Sequence, residues 1–476
     1  MHVDALAAPD YALSRLVLQR GLGFVYLVAF LSALNQFRPL LGERGLLPVP
    51  EFLRSVRRFR DAPSVFYFHY SDRFATATIL LGILLSAVTV LGITDGGSAG
   101  VSMAIWFVMW LSYLSIVNVG QTWYSFGWES LLLEAGFLAI FLGPASSAPP
   151  LLVMLLFRWL VFRLEFGAGL IKMRGDACWR NLTCLYYHHQ TQPMPNPWSW
   201  YFHRLPKRLH RVEVAANHFT QLVVPFGLFA PQPIANVAAV FIIVTQGWLL
   251  LSGNFSWLNA VTLVLACSAL DNSLLSRVLQ VHLDTAASLS TFGVLTSALV
   301  FITVVVLSEK PLRNMLSRRQ VMNSSFNTLH LVNTYGAFGS VTKTRHEVII
   351  EGTADAVITD ATSWQEYEFK GKPGNPFRRP PQVAPYHLRL DWLMWFLALS
   401  PSYGRGWFLE FIDRLLVNDP LVLRLLRRNP FDRRPPVHVR ARLYRYEFTT
   451  WSERRKTGAW WRRTLVGEFL PPVSRQ

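Results

Sequence analysis

Apolar residues run in long, almost unbroken stretches as far as Leu307, and beyond it they thin into short alternations. A bilayer core takes about 20 apolar residues per helix. Nine segments approach that length, at roughly 16–36, 75–94, 101–119, 127–143, 150–171, 214–230, 234–252, 256–271 and 287–307. The first follows Arg15 and Arg20 and lacks a small-residue cleavage site, so it reads as an uncleaved span. The shorter segments also suit a re-entrant path.

The stretch 38–74 between the first two spans is basic. In "EFLRSVRRFR", a helical period places Phe52, Leu53, Val56 and Phe59 on one face, with Arg54, Arg57, Arg58 and Arg60 largely elsewhere. That pattern predicts a helix lying in the membrane interface, with a soluble amphipathic helix as the alternative.

After Leu307 the period drops to two. "LHLVNTYGAFGSVTKTRHEVIIEG" predicts two or three strands with glycine turns, and "SWQEYEFKGK" another. In "PVHVRARLYRYEFT", Val437, Val439, Ala441 and Leu443 share one face, as in a half-buried antiparallel strand. "WWRRTLVGEF" supplies a last strand, and helices are expected near 386–400 and 406–428. The predicted fold is a membrane α-helical bundle of about nine helices, residues 1–307, followed by a small β-rich domain with a helical insertion, residues 308–476.

Charge divides at the same place. Residues 308–476 hold 27 Lys and Arg against 15 Asp and Glu, a net of +12, and the rest of the chain carries +5 of the total +17. A basic appendage on a membrane body faces anionic lipid headgroups, where each Lys or Arg contributes about 1 kcal/mol. No nucleic-acid recognition motif accompanies the charge, so the bilayer and not nucleic acid is the expected partner. With nine spans, the basic loops 37–74 and 172–213 and the C-terminal region share one side, while 95–100, 144–149 and 231–233 carry no Lys or Arg. The positive-inside rule would make the C-terminal side cytoplasmic.

Ionisable residues also fall inside the apolar segments: Glu129, Glu134, Arg158, Arg163, Glu165 and, at a helix end, Lys172. Such groups are costly in a membrane and usually pair or face a cavity. Glu129 or Glu134 is expected to meet Arg158 or Arg163, either to fix helix register or to line a polar cavity.

The loop 172–213 is dense in Cys, His, Trp and Pro. Cys178 and Cys184 either bridge or stay as free thiols, depending on the compartment. His188, His189, His203, His210 and His218 follow, but C-x5-C-x3-H is not a zinc-finger spacing and carboxylates are scarce, so no metal is expected. Four prolines between aromatics predict a rigid, extended connection. No Ser/His/Asp triad, phosphate-cradling loop or pair of broken half-helices is apparent, and no cofactor is expected.

"LIKMRGDACWRNLTCLYYHHQTQPMPNPWSWYFHRLP" closely resembles the signature loop of the lipase maturation factor family, through Arg174, Asp176, Cys178, Trp179, Arg180, Cys184, His188, Gln192, Pro193, Pro195, Asn196 and Pro197. "QTWYSFGWESLLLEAGFLAIF", "NTYGAFGSVTKTRHEVIIEGT", "WQEYEFKGKPG", "APYHLRLDWLMWF" and "RARLYRYEFT" resemble the same family in the same order. The resemblance implies a multi-pass protein of the endoplasmic reticulum membrane, or of the cytoplasmic membrane in a bacterial relative. It implies assistance to the folding or assembly of client proteins, lipases among them. It also implies a luminal C-terminal region in which Tyr335, Trp364, Tyr367, Phe369, Asp391, Trp392 and Trp395 are client-surface candidates. That orientation opposes the charge count, and it favours a Cys178–Cys184 bridge. A more distant resemblance, of "GAGLIKM" followed by Trp179, is to the vitamin K-dependent gamma-carboxylases and their bacterial relatives. It implies Lys172 as a catalytic base, although the inserted "RGDAC" departs from that family's spacing. Client identity and oligomeric state are not legible.

Overall fold

The structure is a computed structural model that describes residues 6–93, 95–281, 289–431 and 434–475. Its first part is a bundle built around α1, Ala12–Leu41, which packs against α2 (Asp72–Leu91), α4 (Gly127–Ala139) and α9 (Leu258–Ala266). Between these in sequence lie α3 (Ala99–Val119), α5 (Leu151–Arg174), α6 (Leu185–Thr191), α7 (Lys207–Leu222) and α8 (Ile234–Ser252), and α10 (Thr291–Leu307) closes the bundle. Local sequence sets several ends. The hydroxyls of Ser71, Ser98 and Ser290 accept backbone N–H groups at the starts of α2, α3 and α10. Gly92, in the left-handed region at φ 76°, ends α2.

Among the described residues, five helical stretches are long and apolar enough to cross a membrane: Pro9–Leu41, Asp72–Leu91, Ala99–Val119, Ile234–Ser252 and Thr291–Leu316. This supports a membrane protein but does not reach the expected count of nine. α4 has 13 residues and α9 has 9. α5 has 24 residues but carries Arg158, Arg163, Glu165, Lys172 and Arg174. The span read at 214–230 is instead the end of the polar helix α7 and a short turn of helix at Val224–Gly227, broken where Pro225 lacks an N–H. The span read at 287–307 begins at Thr291, and its positions 287 and 288 lie outside the described residues. The boundary read at 307 falls inside the stretch Thr291–Leu316. The interfacial helix is shorter than expected: it runs Val49–Ser55, Val56 is extended, and Phe59 starts a separate single turn.

Two ends of the bundle gather different segments. At one, the Arg15 guanidinium donates to the carbonyls of Pro144 and Ala145, Arg20 pairs with Asp95, and Leu13 N–H meets Asn272. At the other, Asn118 donates to the carbonyls of Pro63 and Thr328, and the 175–206 region meets the C-terminal domain.

That domain contains an antiparallel sheet in the order β2-β1-β5-β6 and a two-stranded sheet of β3 and β4. The strands are β1 Arg345–Thr353, β2 Gln365–Glu366, β3 Glu368–Phe369, β4 Leu426–Arg428, β5 His438–Phe448 and β6 Trp461–Ser474. The helices α11 (Arg389–Leu399) and α12 (Phe408–Leu416) form the insertion. On β5, Val439 and Ala441 are buried as the alternation predicts, but further along the buried positions are Tyr446 and Phe448. β5 keeps an unbroken register with β1, so Tyr446 and Phe448 lie on its opposite face, where Trp200, Ile349 and Trp461 cover them. The strands expected in 329–341 are absent, because that segment enters the bundle.

Candidate functional site

Three of the charges in the apolar segments, Glu129, Glu134 and Arg163, are consumed at the contact between the bundle and the C-terminal part of the chain. Glu129, on α4, is fully buried and accepts from Arg389 Nη1 at 2.7 Å and from the Tyr113 hydroxyl. The same Arg389 nitrogen donates to the Trp123 carbonyl at 2.7 Å, and the guanidinium lies 3.4 Å from the Tyr124 ring centroid. The backbone around it is held as well: Gln36 Nε2 donates to the His387 carbonyl at 2.6 Å, and Gln36 Oε1 accepts Arg389 N–H at 2.9 Å. His387 Nδ1 is 3.7 Å from Glu129. Burial, with the Arg389 cation second, pushes this imidazole down to about 4, so the cation facing Glu129 is Arg389.

One turn further along α4, Glu134 forms the ion pair with Arg163 that was expected. A third party completes it. Asn333 donates its backbone N–H and its side-chain amide to Glu134 Oε2 at 2.9 and 3.0 Å, the Tyr335 hydroxyl donates at 2.8 Å, and Arg163 Nη1 donates to the Asn333 carbonyl at 2.6 Å. The "NTYGAFG" segment is therefore a plug. Gly167 on α5 makes room for it, since a Cβ there would sit 2.5 Å from the Tyr335 carbonyl.

The other charges do not pair as expected. Among the described residues Arg158 meets no carboxylate; it donates to the carbonyls of Ser268 and Leu228 and lies over the Tyr11 ring. Glu165 accepts from Gln246 Nε2 at 2.6 Å. Lys172 is 6% exposed, so it does not reach out to headgroups. It donates to Asn217 Oδ1 and Gln221 Oε1, both at 2.8 Å, with the Trp179 ring 5.0 Å away.

The signature loop is a docking surface for the rest of the chain. Cys178 and Cys184 are joined as a disulfide. Asp176 Oδ2 accepts Val341 N–H at 2.7 Å, and Trp179 Nε1 donates to the Phe338 carbonyl at 2.7 Å. Arg174 donates to Gln320 Oε1, and Arg180 to the carbonyls of Met173 and Gly175. His188 lies between Phe255 and Phe338. Gln192 and Asn196 donate to the carbonyls of Ser252 and Leu251 at the end of α8. The carbonyls of Pro193, Pro195 and Pro197 accept from Arg345, Asn254 and Arg379. Arg345 belongs to a buried cluster with Glu347, which also meets Lys372 Nζ at 2.8 Å. This cluster fastens β1 to the loop.

Most expected client-surface residues are inside the protein. Tyr335, Tyr367, Phe369, Asp391 and Trp392 are 1–4% exposed. Asp391 accepts the N–H groups of Gly371 and Lys372, and burial raises its carboxyl. Tyr335 belongs to the plug, while Tyr367, Phe369 and Trp392 pack in the core. Trp364 and Trp395 are partly exposed, the first under the Arg440 guanidinium at 3.8 Å and the second donating to the Thr191 carbonyl. Sequence reasoning missed Arg389, His387, Asn333 and the Arg345–Glu347–Lys372 cluster. The available signal was Arg389 itself, a cation alone in the apolar stretch "HLRLDWLMWF".

A family profile described as the lipase maturation factor transmembrane domain matches residues 13–277, and one described as the lipase maturation factor C-terminal domain matches residues 331–471. The chain is 43% identical to lipase maturation factor 1 of Bos taurus, over 99% of its own length and 91% of the relative's. Against lipase maturation factor 1 of Homo sapiens the identity is 44%, over 97% and 88%. Against lipase maturation factor 2 of Xenopus laevis it is 30%, over 98% and 83%. No solved structure matches.

Proposed function

Because this chain belongs to the lipase maturation factor family, we propose that it is a membrane factor that holds client proteins, secreted lipases among them, while they fold and assemble. The observation that carries this reading is similarity along nearly the whole chain to proteins named for lipase maturation. The site supports it in a second way. Glu129, Glu134 and Arg163 spend their hydrogen bonds on holding the C-terminal part of the chain to the bundle. In this reading the client-facing surface is the edge strand β6, where Leu465 and Val466 are about half exposed. The gamma-carboxylase-like alternative keeps Lys172 as a base, and no contact of Lys172 favours it over a packing role.

Cells deficient in lipase maturation, expressing this chain with a secreted homodimeric lipase, test the reading. Active lipase in the medium is expected to rise several-fold, to fall when Leu465 and Val466 are both changed to Lys, and to be unaffected by Lys172→Met. No rise despite correct insertion of the chain would remove the maturation reading. Loss of activity in Lys172→Met, with the folded protein still present, would favour the enzyme.

We also place the signature loop and the C-terminal domain on an oxidising side of the membrane, the endoplasmic reticulum lumen or the bacterial periplasm. The support is that they contact each other and that the loop carries a disulfide, a bond that persists in such compartments. In bacterial spheroplasts expressing the chain, whose periplasmic face is open to the medium, a membrane-impermeant maleimide is expected to label a Cys267→Ser background only after mild reduction. It should label the further variant Cys184→Ser, which leaves Cys178 alone, without reduction. Labelling that always requires permeabilisation would reverse the orientation.

A further inference from the structure

Beneath the signature loop, α6 and α7 bring together three groups that neither the ion pairs nor the plug use. His189 lies on α6, and His210 and Glu213 lie one turn apart on the same face of α7. One ligand atom from each can be chosen so that all lie within 4.8 Å of one another, and His210 Nδ1 is 3.6 Å from Glu213 Oε2. Both histidines are 1% exposed. All four of their ring nitrogens, and Glu213 Oε2, are buried without a hydrogen-bond partner.

This is an expensive arrangement for the protein alone. A neutral imidazole has one N–H and one lone pair, and each left unpaired in the interior costs about 1–3 kcal/mol. Phe202 beside His189 and Tyr186 beside His210 pack against these rings without giving their nitrogens a hydrogen bond. A divalent metal would resolve it by taking one lone pair from each imidazole and one from the carboxylate. Two imidazoles and a carboxylate form a known zinc donor set, with the fourth position left to water. The carboxylate is already oriented for this: Glu213 Oε1 accepts the Trp248 indole N–H at 2.5 Å, which leaves Oε2 turned toward His210.

We propose that His189, His210 and Glu213 bind one zinc ion, which clamps the disulfide-bearing loop to α7, the helix that also holds Lys172 through Asn217 and Gln221. The expectation of no metal came from treating the cysteines as ligands and finding too few carboxylates near them. The cysteines are spent on a disulfide, and the carboxylate comes from the following helix at an i, i+3 spacing.

The test uses the full chain, purified in detergent with any affinity tag removed. Elemental analysis should find one zinc per chain, and the chelator-stripped protein should take it back up at micromolar zinc. Trp248→Phe, which removes only the partner that orients Glu213, should weaken zinc binding roughly tenfold. His189→Gln and His210→Gln should abolish it. Should the histidine variants not fold, X-ray absorption at the zinc edge of the wild type decides, with nitrogen and oxygen neighbours and Zn–N of about 2.0–2.1 Å expected. Stripped wild type that takes up no zinc, a sulfur neighbour in the absorption spectrum, or uptake that survives the loss of both histidines would overturn the proposal.

Discussion

Changing Arg389 to Met is expected to destabilise the folded protein by about 3–5 kcal/mol, the range for breaking a fully buried ion pair from one side. The cost comes less from losing a contact than from what is left behind. Glu129 would remain buried with the Tyr113 hydroxyl as its hydrogen-bond donor, while His387 beside it is neutral. The carboxylate would have to take up a proton or find water. Water is most easily reached by detaching the segment that carries Arg389, so loss of stability should coincide with release of the C-terminal domain. Thermal unfolding in detergent, with limited proteolysis of residues 384–399, reads both. The double variant Glu129→Leu, Arg389→Met should recover most of the loss, because replacing both charges by apolar groups of similar size is often neutral or stabilising. An unchanged midpoint for Arg389→Met would show that this pair does not hold the domain. A double variant no better than the single one would show that the cost is packing, not unpaired charge.

The legibility of this fold follows the range over which its signals act. Apolar length is local, and it marked the long apolar helices of the bundle. The Glu134–Arg163 pair is 29 residues apart, on two segments already read as neighbours in sequence, and it was foreseen. The partner of Glu129 is 260 residues away; Arg389 stands out as a cation in an apolar stretch, but no local pattern says which carboxylate it meets. The β alternation in 437–443 was read correctly at Val439 and Ala441 but could not reveal that Trp200, from the distant loop, covers the other face at Tyr446 and Phe448. "NTYGAFGS" was read as strand and turn because its composition suits both. Its actual conformation is set by Glu134 and Arg163, which compete for its backbone and side-chain groups more strongly than a neighbouring strand could. Tyr335, Tyr367, Phe369 and Trp392, offered as part of a client surface, are buried for a related reason: type and resemblance mark them, but burial is a property of the assembled chain.

The second large effect concerns Glu134. Replacing it by Leu should also cost about 3–5 kcal/mol, since Arg163 stays buried without its carboxylate. The informative variant is the exchanged pair, Glu134→Arg with Arg163→Glu. In an isolated ion pair, reversing both charges keeps the attraction. Here the plug has a fixed polarity. Three donors, the Asn333 N–H, its side-chain amide and the Tyr335 hydroxyl, converge on Glu134 Oε2 within 3.0 Å, and the one acceptor, the Asn333 carbonyl, faces Arg163. Exchange would aim a guanidinium at three donors and a carboxylate at a carbonyl. The exchanged protein is therefore expected to be no more stable than Glu134→Leu, with residues 329–341 open to protease, even though the two side chains do pair in the native fold. The apolar double variant Glu134→Leu, Arg163→Leu should recover only part of the loss, because buried donors left unpaired cost about 1–3 kcal/mol each. Wild-type stability in the exchanged protein would mean that the pair holds α4 to α5 without the plug. In that case residues 329–341 would be held by the hydrogen bonds of Asp176 and Trp179 instead.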